Sequence, residues 1–360
     1  MCNEQSIITI VEIAKRQEKS NPKEASKYYL EAAQMLLEHA KSHPKNREEK
    51  IKMSEKMYKK ARRLKNKKFE SKKSNLGFDS IGGLEELKEE IRFKIIQPME
   101  DPELFKYYGK SVGGGILMYG PPGCGKSLIA KATAYEAKVN FIHVKSSDLK
   151  SKFVGETEKN IAELFEKARE KQPTIIFFDE FEVLGMDRSV GKSHEKSAVA
   201  QLLTEMDGMD AKEQQILLLA ATNEPWSIDP ALRREGRFGT TIFIPPPDEE
   251  AREAILKLHM TNRPVEEIDY LRLAKETKNL SGADLKAVCE IATSIPLKES
   301  YKTKIKRKIT MVDMRAAIGK TKSIMTQWFN MAKEQVIKRR LEDQFSDLID
   351  RADEMELICV

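Results

Sequence analysis

The sequence predicts an α/β fold, a parallel sheet sandwiched by helices, with a small all-α lid domain after it and an all-α three-helix bundle before it. Three observations predict it. From Leu76 onward short apolar runs alternate with helical stretches, the pattern of a parallel sheet. A Gly/Pro-rich turn, Gly120 to Ser127, joins one of those runs to a helical stretch that starts at Leu128. Ahead of Leu76, three amphipathic stripes end in a polar, Lys-rich run. The boundaries implied are 1–66 for the bundle, 67–75 for a linker, 76–246 for the large α/β subdomain, 247–325 for the helical lid and 326–360 for a C-terminal helix.

Ile7, Ile10, Val11 and Ala14 form one stripe, and Tyr28, Tyr29, Ala32, Ala33, Leu36 and Leu37 a second. Ile51, Ser54, Met57, Tyr58, Ala61 and Leu64 form the third. Asn21-Pro22-Lys23-Glu24 is a helix start with a capping Asn and Pro in the first turn, and His43-Pro44 ends that helix. Beyond the linker, the strand candidates are Ile116–Tyr119, Phe141–Val144, Thr174–Phe178, Ile216–Ala221 and Thr241–Ile244. After Pro245-Pro246-Pro247 the chain reads as helical, with capping-box starts at Ser281-Gly282-Ala283-Asp284 and Thr310-Met311-Val312-Asp313.

Composition narrows the class. With 360 residues, 33% charged and 40% hydrophobic, the chain is long enough for two or three domains and too apolar for disorder. No apolar run approaches the ~20 residues of a membrane span, and no secretory leader pattern opens the chain, so a cytoplasmic protein without an integral membrane segment is expected. Cys2, Cys124, Cys289 and Cys359 are scattered, and the five histidines form no ligand spacing, which argues against structural zinc. The net charge of +6 is unevenly placed, with 20 Lys/Arg against 10 Asp/Glu in residues 1–73.

Gly120-Pro121-Pro122-Gly123-Cys124-Gly125-Lys126-Ser127 fits G-x-x-x-x-G-K-[ST] in its strand–loop–helix context. Such a turn aims backbone N–H groups and the helix dipole at phosphates. Lys126 is expected at the β- and γ-phosphates and the Ser127 hydroxyl on Mg²⁺, in the manner of a P-loop NTPase binding ATP. Four apolar residues ending in Asp179-Glu180, roughly 55 residues further on, suit a central strand whose tip carries carboxylates: Asp179 toward Mg²⁺, Glu180 toward the attacking water.

With these motifs in order, residues 76 to about 325 resemble an AAA ATPase module of the AAA+ superfamily. Asp79-Ser80-Ile81-Gly82-Gly83-Leu84 is similar to the segment lining the adenine pocket, and Ala221-Thr222-Asn223 to sensor 1. Asp229 to Phe238 resembles the second region of homology, which implies Arg234 and Arg237 as fingers acting on a neighbouring subunit. The resemblance implies ATP contacts from Gly82, Gly120 to Leu128, His259, Gly282 and Ala283, with catalysis by Asp179, Glu180, Asn223, Arg234 and Arg237. Lys152-Phe153-Val154 resembles the substrate-gripping pore loop 1 of protein-remodelling members, Met186–His194 aligns with pore loop 2, and Leu203–Met209 resembles the intersubunit signalling segment. Departures are Cys124 where Thr is frequent, Glu182 where Asp is frequent, Thr240 in place of Arg, and no sensor 2 arginine.

The bundle resembles an MIT domain, the module on ESCRT-III-disassembling and microtubule-severing AAA proteins. Ile295–Ile309 is too short for the β-domain of the ESCRT type, and the tail from Thr310 through Trp328 resembles the valosin-containing unfoldase type, so the substrate class stays open. The resemblance implies a homo-hexamer that remodels, unfolds or disassembles protein clients, recruited through acidic amphipathic motifs on the basic bundle. Two alternatives are a nucleic-acid-stimulated remodelling ATPase, suggested by the Lys-rich N-terminus but lacking a recognition-helix signature, and a nucleotide-gated scaffold without turnover.

Overall fold

A computed structural model describes residues 4–18, 22–42, 47–66, 77–110, 114–150, 155–187, 193–210 and 215–358. The chain divides into two compact units, 1–70 and 71–360.

The first unit is built on α1 (Glu4–Gln17), α2 (Pro22–Ser42) and α3 (Arg47–Asn66). Small residues let the helices approach closely: Ala14, Ala25, Ala32 and Ala61 are fully buried around the Tyr29 ring. Two buried hydroxyls find backbone acceptors across the helix pair, Ser26 Oγ donating to Ala61 O and Ser54 Oγ to Ala33 O, each at 2.8 Å. Lys60 lies over the Tyr29 ring and pairs with Glu18, which also accepts from the Tyr29 hydroxyl. The expected second and third stripes are only partly buried. Leu37 is 45% exposed and Tyr58 56%. Together with Leu30 and Ile51 they line a groove of about 570 Å³ between α2 and α3.

The second unit contains a five-stranded, all-parallel sheet: β1 (Gly114–Tyr119), β2 (Asn140–Lys145), β3 (Thr174–Asp179), β4 (Ile216–Thr222) and β5 (Thr240–Phe243), in the order β2-β3-β4-β1-β5. β4 is buried at every position and β3 at all but its last, as central strands covered on both faces must be. The first four strands contain the runs read from the sequence, and β5 begins one residue earlier than its run. Because β3, β4 and β1 are neighbours, their carboxyl ends open on one crevice, where open α/β sheets bind ligands.

The lid has its own core of Leu256, Leu273, Leu285, Val288, Cys289, Ala292 and Met314. Both capping boxes form, at Ser281–Asp284 and Thr310–Asp313. The helix Gly282–Thr303 runs through Pro296, and only Lys304–Thr310 connects it to Met311–Ile318, so no β-domain intervenes. The tail departs from the single helix expected over 326–360. It forms two, Met325–Lys338 and Ser346–Ile358. At the break Arg340 is left-handed (φ 56°), and Phe345 turns fully inward, its ring 4.9 Å from that of Tyr119 on β1.

Candidate nucleotide site

The phosphate loop leaves β1 at Gly120, where an added Cβ would come within 2.2 Å of Ile244 O; only glycine lets β1 and the chain after β5 approach so closely. Gly125 (φ 86°) caps the helix Lys126–Glu136 in a left-handed conformation. The free N–H groups of that helix end and its dipole face the loop, which is the physical basis for holding phosphate. Lys126 is buried, and its ammonium donates to the carbonyls of Gly120 and Pro121, each at 2.8 Å. Burial pushes its pKa down to about 8. Cys124 is a buried thiol, pushed up to about 12 by the same desolvation, so it is inert packing inside the loop. Leu128 donates its N–H to Gly125 O at 2.9 Å.

Asp179 ends β3. The Ser127 hydroxyl donates to its Oδ2 at 2.8 Å, His143 Nε2 lies 3.2 Å from the same oxygen, and Glu180 N–H donates to Oδ1 at 3.2 Å. Burial alone would raise this carboxyl, but the hydrogen bonds from His143 and Ser127 outweigh it and hold the pKa below the usual value. The carboxylate is therefore ionised. Ser127 Oγ and Asp179 together offer two hard oxygen donors, and among the described residues no group of three or more His, Cys, Asp and Glu side chains is placed to hold a metal ion by itself. That donor set fits Mg²⁺, which is held through one or two carboxylates plus substrate phosphates rather than an all-protein cage.

Glu180 is exposed and sits at φ 53°, ψ 50°. A left-handed conformation costs a non-glycine residue about 1–3 kcal/mol and persists where the surroundings over-determine it, typically at functional positions. Glu182, two residues on, is different. Burial raises its carboxyl pKa, Thr222 bonds to it, and its Oε2 is buried with no hydrogen-bond partner. Asn223 follows β4, and its backbone carbonyl accepts from the Trp328 indole at 3.2 Å, so the tail helix pins the chain just past β4.

The lid and the Gly82 segment complete the crevice. Ala283 N–H donates to Gly123 O at 3.2 Å, placing the Gly282–Ala283 helix end directly on the phosphate loop. Gly82 lies against Ala254, and Asp248 clamps the segment by accepting from Leu84 N–H and Ala251 N–H, both at 2.7 Å. His259 is half-buried on Glu249–Met260. Its pKa is lowered by burial, then by Lys286 and Arg263. Arg234 is exposed. Arg237 chelates Asp207 (3.0 and 3.1 Å) and donates to Ala231 O at 2.9 Å. Lys152, Phe153 and Val154 lie outside the described residues; Gly155 caps the helix that follows.

His143, Trp328, Asp248 and Asp207 did not emerge as site residues from the sequence. His143 had one usable signal, a polar ring inside the otherwise apolar run Phe141–Val144.

Residues 116–246 match the family described as "ATPase family associated with various cellular activities (AAA)", and residues 267–315 match the AAA+ lid domain. Over 266 residues the chain is 41% identical to a Cell division cycle protein 48 homolog of Archaeoglobus fulgidus, a match covering 70% of this chain and 36% of that protein. The chain thus spans about a third of the length of that relative.

Proposed function

We propose that this chain, which belongs to the AAA family of ATPases, uses ATP hydrolysis to remodel, unfold or disassemble protein complexes as a cytoplasmic homo-hexamer that threads polypeptide through its ring. The observation that carries the ATPase reading is the convergence, at the ends of β1, β3 and β4, of a glycine-built phosphate loop, the Ser127–Asp179 pair at 2.8 Å, and Glu180.

The division of labour follows from the geometry. Backbone N–H groups of Gly123 to Ser127 bind the phosphates, and Lys126 moves from its loop carbonyls to the β- and γ-oxygens. Ser127 and Asp179 hold Mg²⁺, which when bound neutralises charge on the phosphates. Glu180 orients water and takes its proton, and Asn223 holds that water or the γ-phosphate. Gly82, His259, Gly282 and Ala283 enclose the base and sugar side. Arg234 and Arg237 reach the ATP of the adjoining subunit, where a guanidinium stabilises transition-state charge. The balance is ATP and water to ADP and phosphate.

Protein as the substrate rests on Phe153 beside Lys152 and Val154, in a segment resembling pore loop 1. The tail's likeness to the unfoldase type and the match to the cell division cycle protein 48 homolog support it. Phe153→Ala changes no residue of the phosphate loop. It is expected to keep basal ATPase while losing unfolding of a tagged substrate, measured together. A parallel loss of ATPase and an early melt would instead make Phe153 a core residue.

The bundle is read as an MIT-like adaptor. Its groove between α2 and α3 is apolar, and residues 1–73 carry 20 Lys/Arg against 10 Asp/Glu, so the complementary client segment is acidic and amphipathic. Binding of such a peptide, followed by fluorescence anisotropy, is expected to weaken from 0.1 to 1 M salt as the Debye length falls from ~10 to ~3 Å. Salt-independent binding, or tighter binding of a basic peptide, would remove the charge argument.

A further inference from the structure

We propose that His143 is a positioning residue of the ATPase site: it donates from Nε2 to Asp179 Oδ2 and so sets the orientation in which that carboxylate serves the metal. The contact is 3.2 Å. Its direction follows from chemistry. Asp179 is ionised and can only accept, so the facing ring nitrogen carries the proton.

The placement comes from sheet register. His143 on β2 pairs with Phe177 on β3, and Lys145 with Asp179. Side chains two apart share a face, so Asp179 is the diagonal same-face neighbour of His143, within reach of a long side chain. Two rings fix the imidazole: Phe141 stacks at 6.3 Å between centroids, and Phe177 lies at 5.3 Å. Both partners are mostly shielded, with His143 30% and Asp179 21% exposed, so water competes poorly for the bond.

The remaining contacts show why this bond matters. Among the described residues, Oδ1 accepts only from the adjacent backbone, Glu180 N–H. Oδ2 accepts from Ser127 and His143. Ser127 is itself a metal donor, so its hydroxyl has a second task. His143 has none, and it is the side chain free to hold the carboxylate throughout. Ser146 completes the support by donating to Asp179 O at 2.8 Å.

This inference rests on Asp179 serving Mg²⁺, and the experiment separates the two. His143→Gln and His143→Met place side chains of nearly equal length and volume, one with a donor and one without. Binding of a fluorescent ATP analogue is followed in EDTA and as Mg²⁺ is titrated. All three proteins are expected to bind alike in EDTA. The Met variant should need about tenfold more Mg²⁺ for half of the metal-dependent tightening, the lower end of what losing an outer-shell partner costs. The Gln variant should stay close to wild type. Gln and Met titrating together overturns the proposal, whether both match wild type or both weaken and melt early. Wild type without metal-dependent tightening would remove the metal role of Asp179 itself, and that of His143 with it.

Discussion

Glu180→Gln is expected to bind ATP as tightly as the wild type while turning over roughly 10²–10⁴-fold more slowly, the range a positioned base supplies. Gln keeps the shape of Glu. The left-handed backbone at this position and the Glu180 N–H bond to Asp179 Oδ1 are therefore retained. Asp179 keeps its bonds from Ser127 and His143, and the phosphate loop is untouched. Only the proton acceptor is gone. Equilibrium binding of ATP and single-turnover hydrolysis, measured on the same protein, separate the two steps. Hydrolysis near the wild-type rate would take the base role from Glu180 and direct attention to Glu182, whose carboxyl is buried and raised.

Arg237→Ala tests whether the site is completed across a subunit interface. An arginine finger supplies about 10³–10⁵ in kcat, so the variant should bind ATP and hydrolyse it very slowly. Stability is not the explanation to expect. The ion pair lost is with Asp207, whose side chain is 60% exposed, and such pairs contribute about 0–1 kcal/mol. Lys126→Ala should fail at nucleotide binding instead, because the buried ammonium at the loop is removed. Mixing the two variants should restore activity, since a ring then contains pockets with intact Lys126 facing subunits with intact Arg237. Specific activity should also rise with protein concentration as rings assemble. No recovery on mixing, with concentration-independent turnover, would place both residues in one self-sufficient subunit.

Asp207 lies in the segment that resembles the intersubunit signalling region. Its bonds from Arg237 tie that segment to Arg237 within one chain. The lid is tied to the phosphate loop just as directly, through Ala283 N–H and Gly123 O. Motion of the lid therefore moves a group in contact with the phosphate loop.

Features that depend on short-range order are legible in the sequence. Gly120 to Ser127 between an apolar run and a helix is legible because the chemistry needs those residues consecutively: close backbone approach at Gly120, a left-handed cap at Gly125, then the ammonium and the hydroxyl. The strands are legible because buried parallel strands read as unbroken apolar runs. Two of the lid helices are announced by capping boxes that close over three residues. The tertiary structure decided whatever needed a register or a distant partner. His143 meets Asp179 only because β2 pairs with β3 so that His143 faces Phe177; a slip of one residue would turn His143 to the other face. Trp328 reaches the Asn223 carbonyl from 105 residues away, and Asp248 caps Leu84 from 164. The tail breaks into two helices because Phe345 is drawn inward to Tyr119, a contact that no periodicity within residues 326–360 encodes. Local spacing specifies hydrogen bonds that close within a turn, whereas a bond between separate elements exists only once the packing of apolar faces has set which strands and helices adjoin.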